Sequence, residues 1–173
     1  DGETGRGMED KRNRRVRDDL ELRGFKVKDQ TQRGLSGSGR GVGELDLLIC
    51  SGEKMAMPWT IIEALRVSGG AKTEWEAHLN KLLENYNYFG APCVYLLTYV
   101  DDDGTRFPKI WDSYLERIPK VHPGKFKFVP GSLREEKDAS RGNSIKVARC
   151  RYEKGGEMTN AYHIFVQIPK RKK

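Results

Sequence analysis

Cysteine is scarce in this chain. Cys50, Cys93 and Cys150 are its three, an odd number with no two close in sequence. That argues against a disulfide framework and against a cysteine-type zinc site, and it leaves reduced core thiols of the kind found in a cytoplasmic protein. Long apolar runs are missing as well. No stretch approaches the ~20 residues that a membrane helix requires, so no membrane partner is expected. Histidine is sparse, and His78, His122 and His163 are too scattered to make a metal-ligand spacing. No signal-peptide pattern and no internal repeat is present. The opening, Asp1 followed by Gly2, Gly5 and Gly7, reads as a domain cut from a longer polypeptide.

Charge is plentiful. Charged residues make up 33% of the 173 residues, hydrophobic ones 36%, and the net charge is +7. The apolar share suffices for one core, and the length for one domain. A basic balance favours polyanionic partners, because cationic side chains release counterions condensed on phosphates. Lys170, Arg171, Lys172 and Lys173 form a basic tail, which is either a solvated end or a phosphate-tracking arm.

Periodicity outlines the elements. Residues 8–23 are helical in character, with Val16 and Leu20 as the buried stripe and Gly24 as the stop. The segment 25–31 alternates, with Phe25 and Val27 on one face. The Gly/Ser-rich stretch 33–43 is a loop whose spacing fits no P-loop. Strands are expected at 44–50, 59–65 and 92–100; the last is almost wholly apolar, as a central strand covered on both faces would be. Trp75, Leu79, Leu82, Leu83 and Tyr86 form one continuous face of a helix over 72–89. A second helix over 107–118 turns Ile110, Trp111, Tyr114, Leu115 and Ile118 inward. These aromatic positions read as core rather than as base-stacking residues. Beyond 118, KFKFV is a possible short strand, and SIKVARCRY and AYHIFVQI flank the turn EKGGEMTN as a hairpin. Lys146, Arg149 and Arg151 offer a basic face there, although Lys146 and Arg149 differ in parity.

Two acids stand out against apolar surroundings. Side chains alternate along a strand, so Glu44 and Asp46 share one face while Leu45, Leu47 and Ile49 take the other. Glu63 sits inside the apolar strand WTIIEAL. A buried carboxylate is costly without compensation, and two on adjacent strands suggest a shared one. A divalent cation held by carboxylates would supply it. The plainer alternative is a structural network with basic neighbours.

The order of helix, strand, Gly-rich loop, Gly43-Glu44-Leu45-Asp46 strand, turn, Ile61-Ile62-Glu63-Ala64-Leu65 strand, helix and strand resembles the PD-(D/E)xK nuclease superfamily over about residues 7–118. Gly7-Met8-Glu9, leading into a helix that ends in Leu22-Arg23-Gly24-Phe25, resembles the start of restriction-endonuclease-like and Holliday-junction-resolvase members. The resemblance implies an α/β fold, a restriction-endonuclease-like mixed central sheet flanked by helices, to which the sequence pattern adds the C-terminal β-hairpin. It implies a nuclease-like core over 1–118 and an extension over 119–173 packed on the same domain. It implies Mg²⁺ or Mn²⁺ held by Asp46 and Glu63, with Glu9 as a helper and Glu44 as a further candidate ligand, and DNA rather than RNA as the substrate.

The sequence departs from the family at one position. The family's lysine two residues after the acid is Leu65 here, and Arg66 lies one step further on, on the opposite strand face. An acid-Ala-Leu-Lys/Arg form of the motif resembles that of terminal domains in bacterial multidomain proteins. Lysines migrate within the superfamily, and Lys81 or Lys72 on the following helix is preferred to Arg66 as the catalytic cation. The plainer readings are a helix-start acid at Glu9, a solvated arginine at Arg66 and a partly exposed histidine at His78. Two functions follow: a metal-dependent phosphodiesterase acting on DNA, or a catalytically silent nuclease fold that binds nucleic acid or a partner.

Overall fold

Strand pairing in this protein joins segments far apart in sequence. The computed structural model describes residues 5–35, 42–51, 57–67, 72–102, 105–142 and 144–169. Helices α1 (Gly5–Leu22), α2 (Lys72–Asn80) and α3 (Phe107–Arg117) flank a mixed sheet. Its strands are β1 (Lys26–Leu35), β2 (Val42–Ser51), β3 (Met57–Val67), β4 (Cys93–Asp101), β5 (Lys127–Phe128), β6 (Arg134–Glu135), β7 (Ile145–Lys154) and β8 (Glu157–Ile168). The order across the sheet is β1-β2-β3-β4-β8-β7-β5, and β6 also pairs with β7. β3, β4 and β8 run parallel, whereas the outer pairs are antiparallel. A parallel pair needs a crossover, and α2 lies in the one from β3 to β4.

The apolar strand β4 takes the central position its composition predicts, with Val94, Leu96 and Val100 on one face and Leu97 and Tyr99 on the other, all buried. The first face carries the larger core. There Leu48, Ile61, Leu65, Val67, Cys150 and Phe165 meet the Trp75–Tyr86 stripe and the inward face of α3. The second face carries Val27, Leu47, Ile49, Ile62 and Ala64, against which Val16 and Leu20 of α1 pack. The expected strands β2 and β3 are paired neighbours.

Several local expectations are corrected. The helix expected over 72–89 is α-helical only to Asn80 and continues as a π-helical turn, Lys81–Tyr86. The wider turn leaves Leu82, Leu83 and Tyr86 all buried. Phe25 does not share the buried face of Val27; it is 39% exposed and stacks on Trp59, with ring centroids 6.3 Å apart. The segment 25–31 extends as β1 to Leu35, into the stretch read as loop, and residues 36–41 lie outside the described ones. The hairpin turn narrows to Gly155 and Gly156, whose positive φ values of 61° and 90° suit a two-residue connection. The segment 119–169 adds four strands to the same sheet, with β8 paired directly to β4. The basic tail lies outside the described residues. Among the described residues no helix is long and apolar enough to cross a membrane.

Candidate functional site

The ladder between β2 and β3 runs to Leu47↔Ile62; one residue further, that register would set Asp46 opposite Glu63. The Asp46 carboxylate spans the gap instead. Its Oδ2 accepts the backbone N–H of Ala64 at 2.8 Å, and its Oδ1 accepts Nδ2 of Asn13 at 3.3 Å. Asn13 comes from α1, is 7% exposed, and takes a hydrogen bond on Oδ1 from the Tyr99 hydroxyl at 3.2 Å. The aspartate is therefore oriented by the sheet and by the helix on the far side.

Glu63 shares the face of Ile61 and Leu65 and is fully buried. Its Oε1 receives two partners, Lys81 Nζ at 2.9 Å and His78 Nδ1 at 2.8 Å. Its Oε2 finds no hydrogen-bond partner among the described residues. Lys81 stands at the start of the π-helical turn, and its ammonium also lies 5.2 Å from the centroid of the Tyr86 ring. Burial by itself would lower the Lys81 pKa, but the Glu63 charge, its hydrogen bond and Tyr86 together drive it well above the ordinary lysine value. The ammonium is thus fixed in the charged form. Burial raises the pKa of the Tyr86 hydroxyl; the hydrogen bond from Lys81 opposes this, while the negative charges of Glu63 and Asp46 add to it.

The other sequence candidates fall elsewhere. Leu65, where the resemblance noted above would place a lysine, is 2% exposed and packed in the larger core. Arg66 projects to the opposite face, where Nε and Nη2 both reach Asp101 Oδ2 at 2.5 Å. Arg12 of α1 lies 4.0 Å from the other oxygen of Asp101 and 5.5 Å above the Tyr99 ring centroid. Arg66 thus belongs to an ion-pair group remote in facing from Glu63. The side chains of Glu9, Glu44 and Lys72 lie outside the described residues. Among the described residues, no group of three or more His, Cys, Asp or Glu side chains could hold a metal.

Two members of the site escaped the sequence reading. His78 stands three residues before Lys81, a helical spacing that brings both to one carboxylate. Asn13 precedes Val16 by three residues and Leu20 by seven, so the α1 stripe itself marked it as inward-facing. A polar residue on a buried stripe is the signal that was available.

The fold and site together define a mixed-sheet α/β protein with an acidic pair on neighbouring strands and a helix-borne ammonium held against one of the acids. No protein-family model matches the chain, and no curated protein matches it in sequence.

Proposed function

We propose that the chain is a divalent-metal-dependent phosphodiesterase of the PD-(D/E)xK, restriction-endonuclease-like type, acting on DNA. The observation that carries this reading is Glu63, buried in β3 beside Asp46 of β2, with Lys81 on one oxygen and the other oxygen unsatisfied among the described residues. An unpaired buried carboxylate oxygen is costly, so it fits a cation donor better than a finished structural ion pair. The donor chemistry suits Mg²⁺ or Mn²⁺, which favour oxygen ligands: Glu63 Oε2 and the Asp46 carboxylate would hold it. Glu9 and Glu44 join that set only through the family resemblance. When bound, the ion would polarise the scissile phosphate and lower the pKa of an attacking water.

The chain's own residues supply the rest. Lys81 is held charged, and an ammonium has three donors, of which Glu63 takes one. Tyr86 engages a second, and the third is left to stabilise charge growing on a phosphate oxygen. His78 shares the load on Glu63 and keeps the carboxylate oriented. Asn13 and Ala64 fix Asp46. The unbridged thiols Cys50, Cys93 and Cys150 accord with a reducing, cytoplasmic setting. The proposed setting also includes further domains on a longer chain.

A second reading has its own support. Leu65 fills the usual lysine position with core packing, as a catalytically silent binding module would allow. Supercoiled plasmid incubated with Mg²⁺ or Mn²⁺ separates the two. The nuclease reading expects nicking by wild type and none by Asp46→Ala, together with calorimetric Mn²⁺ binding that Asp46→Ala loses. Absence of metal-dependent nicking on every substrate, with DNA binding retained, leaves the silent module.

A further inference from the structure

On the sheet face opposite Glu63, α1 packs against β1, β2 and β3 and reaches β4 at Tyr99 and Asp101. Beyond them the pairings Tyr95↔Tyr162, Tyr162↔Arg149 and Arg149↔Arg134 set four side chains in one row across β4, β8, β7 and β6. Directly paired residues share a face, so this row is continuous. The two tyrosine rings stack with centroids 5.1 Å apart and planes 18° apart, and the Arg149 guanidinium lies 5.9 Å from the Tyr162 centroid. Arg151, paired with Asn160, adds a second row on the same face.

Two adjoining cavities form there and share Arg149. One, of about 260 Å³, is lined by Ser132, Arg134, Arg149, Arg151 and Asn160. The other, of about 520 Å³, is lined by Tyr95, Tyr162, Val147 and Ile164 among others. Like charges placed directly opposite each other on paired strands are destabilising, yet Arg134 faces Arg149. Glu136 offsets Arg149 at 3.1 Å, but exposed Arg134 and Arg151 have no ion-pair partner among the described residues. The surface therefore carries uncompensated positive charge beside half-buried aromatic rings.

We infer that this face binds single-stranded nucleic acid, with phosphate in the arginine-lined cavity and bases against the tyrosine pair. Guanidinium forks match phosphate oxygens, and aromatic rings accept any unpaired base. A duplex keeps its base faces stacked inside, so it cannot use the tyrosines. This inference does not rest on the nuclease reading, and binding is measured in EDTA, where no metal-dependent cleavage can occur.

The experiment is fluorescence anisotropy with labelled oligo-dT of fifteen nucleotides, across a salt series, on variants whose melting curves match wild type. Wild type is expected to bind the oligonucleotide more tightly than a duplex of equal length. Arg134→Ala/Arg151→Ala weakens binding at least about tenfold and lowers the salt slope by about 1.4, or about 0.7 per lost phosphate contact. Tyr162→Leu weakens it about tenfold while Tyr162→Phe retains it. Arg117→Ala, which removes a cation elsewhere, leaves it unchanged. Tighter binding to duplex, equal binding by Tyr162→Leu and wild type, or loss of binding in Lys81→Ala with the arginine pair variant unaffected would each overturn the proposal. So would no measurable binding by wild type.

Discussion

Glu63 and His163 stand in one row of the sheet, separated only by Leu96, through the pairings Glu63↔Leu96 and Leu96↔His163. Both are fully buried beneath the same helical layer. His163 is closed on both sides: its Nδ1 lies 2.6 Å from the Tyr114 hydroxyl and its Nε2 lies 3.1 Å from Cys150 Sγ. Burial depresses its pKa to about 3, so the ring stays neutral, able to donate at one nitrogen and accept at the other. Glu63 shares one oxygen between Lys81 and His78 and leaves the other without a partner among the described residues. A neutral group with every valence met is inexpensive to bury, whereas a carboxylate needs a counter-charge and still has an oxygen to offer. Two similar positions in one sheet thus differ in whether every polar atom is matched, and only Glu63 fits the proposed chemistry.

The comparison breaks most sharply at Lys81. Under the proposed function, Lys81→Ala removes a preorganised donor and is expected to slow plasmid nicking by roughly 10²–10³-fold. The effect belongs in the single-turnover rate. An unchanged rate would make Lys81 a structural counter-ion of Glu63. His163→Leu should behave in the opposite sense. It leaves the Tyr114 hydroxyl and Cys150 without their partner, at about 1–3 kcal/mol in urea unfolding, while Mn²⁺ binding is unaltered.

Acid sharpens the same contrast. The folded pKa of His163 lies below its value of ~6.5 in the unfolded chain, so the unfolded state binds the extra proton between the two. The contribution is complete above pH ~6.5 and is lost on acidification toward about pH 3, at about 1.4 kcal/mol per pH unit. Urea midpoints collected over that window should fall with pH, and His163→Gln should flatten the component. The smallest effect on activity belongs to Arg66→Ala. It costs stability by releasing Asp101, but it leaves nicking intact because the guanidinium faces α1 rather than Glu63.

Much of this arrangement is legible from short-range pattern. Alternation with period two put Asp46 apart from Leu47 and Ile49, and it set Leu65 and Arg66 on opposite faces. The helical period identified Trp75, Leu79, Leu82, Leu83 and Tyr86, each buried in the larger core. What stayed hidden depends on distance along the chain. Asn13 meets Asp46 across 33 residues, and no local period reports that contact. The π-helical turn begins at Lys81, and composition does not announce it. The pairing of β8 with β4 is likewise absent from any window, so the hairpin read as an extension proves continuous with the central sheet. The roles proposed for the acids rest on the family resemblance and on the geometry of Glu63.

That pairing has a consequence for the order in which the chain is made. β4 meets its second neighbour through Cys93↔Asn160, so a nascent chain exposes the bare edge of CVYLLTYVD until some seventy further residues have left the ribosome. An apolar strand with an unsatisfied row of N–H and C=O groups is a template for intermolecular pairing. Shortening the protein at residue 118 would make that transient condition permanent. Insolubility of such a fragment would then reflect an open sheet edge and carry no information about the role proposed for Glu63.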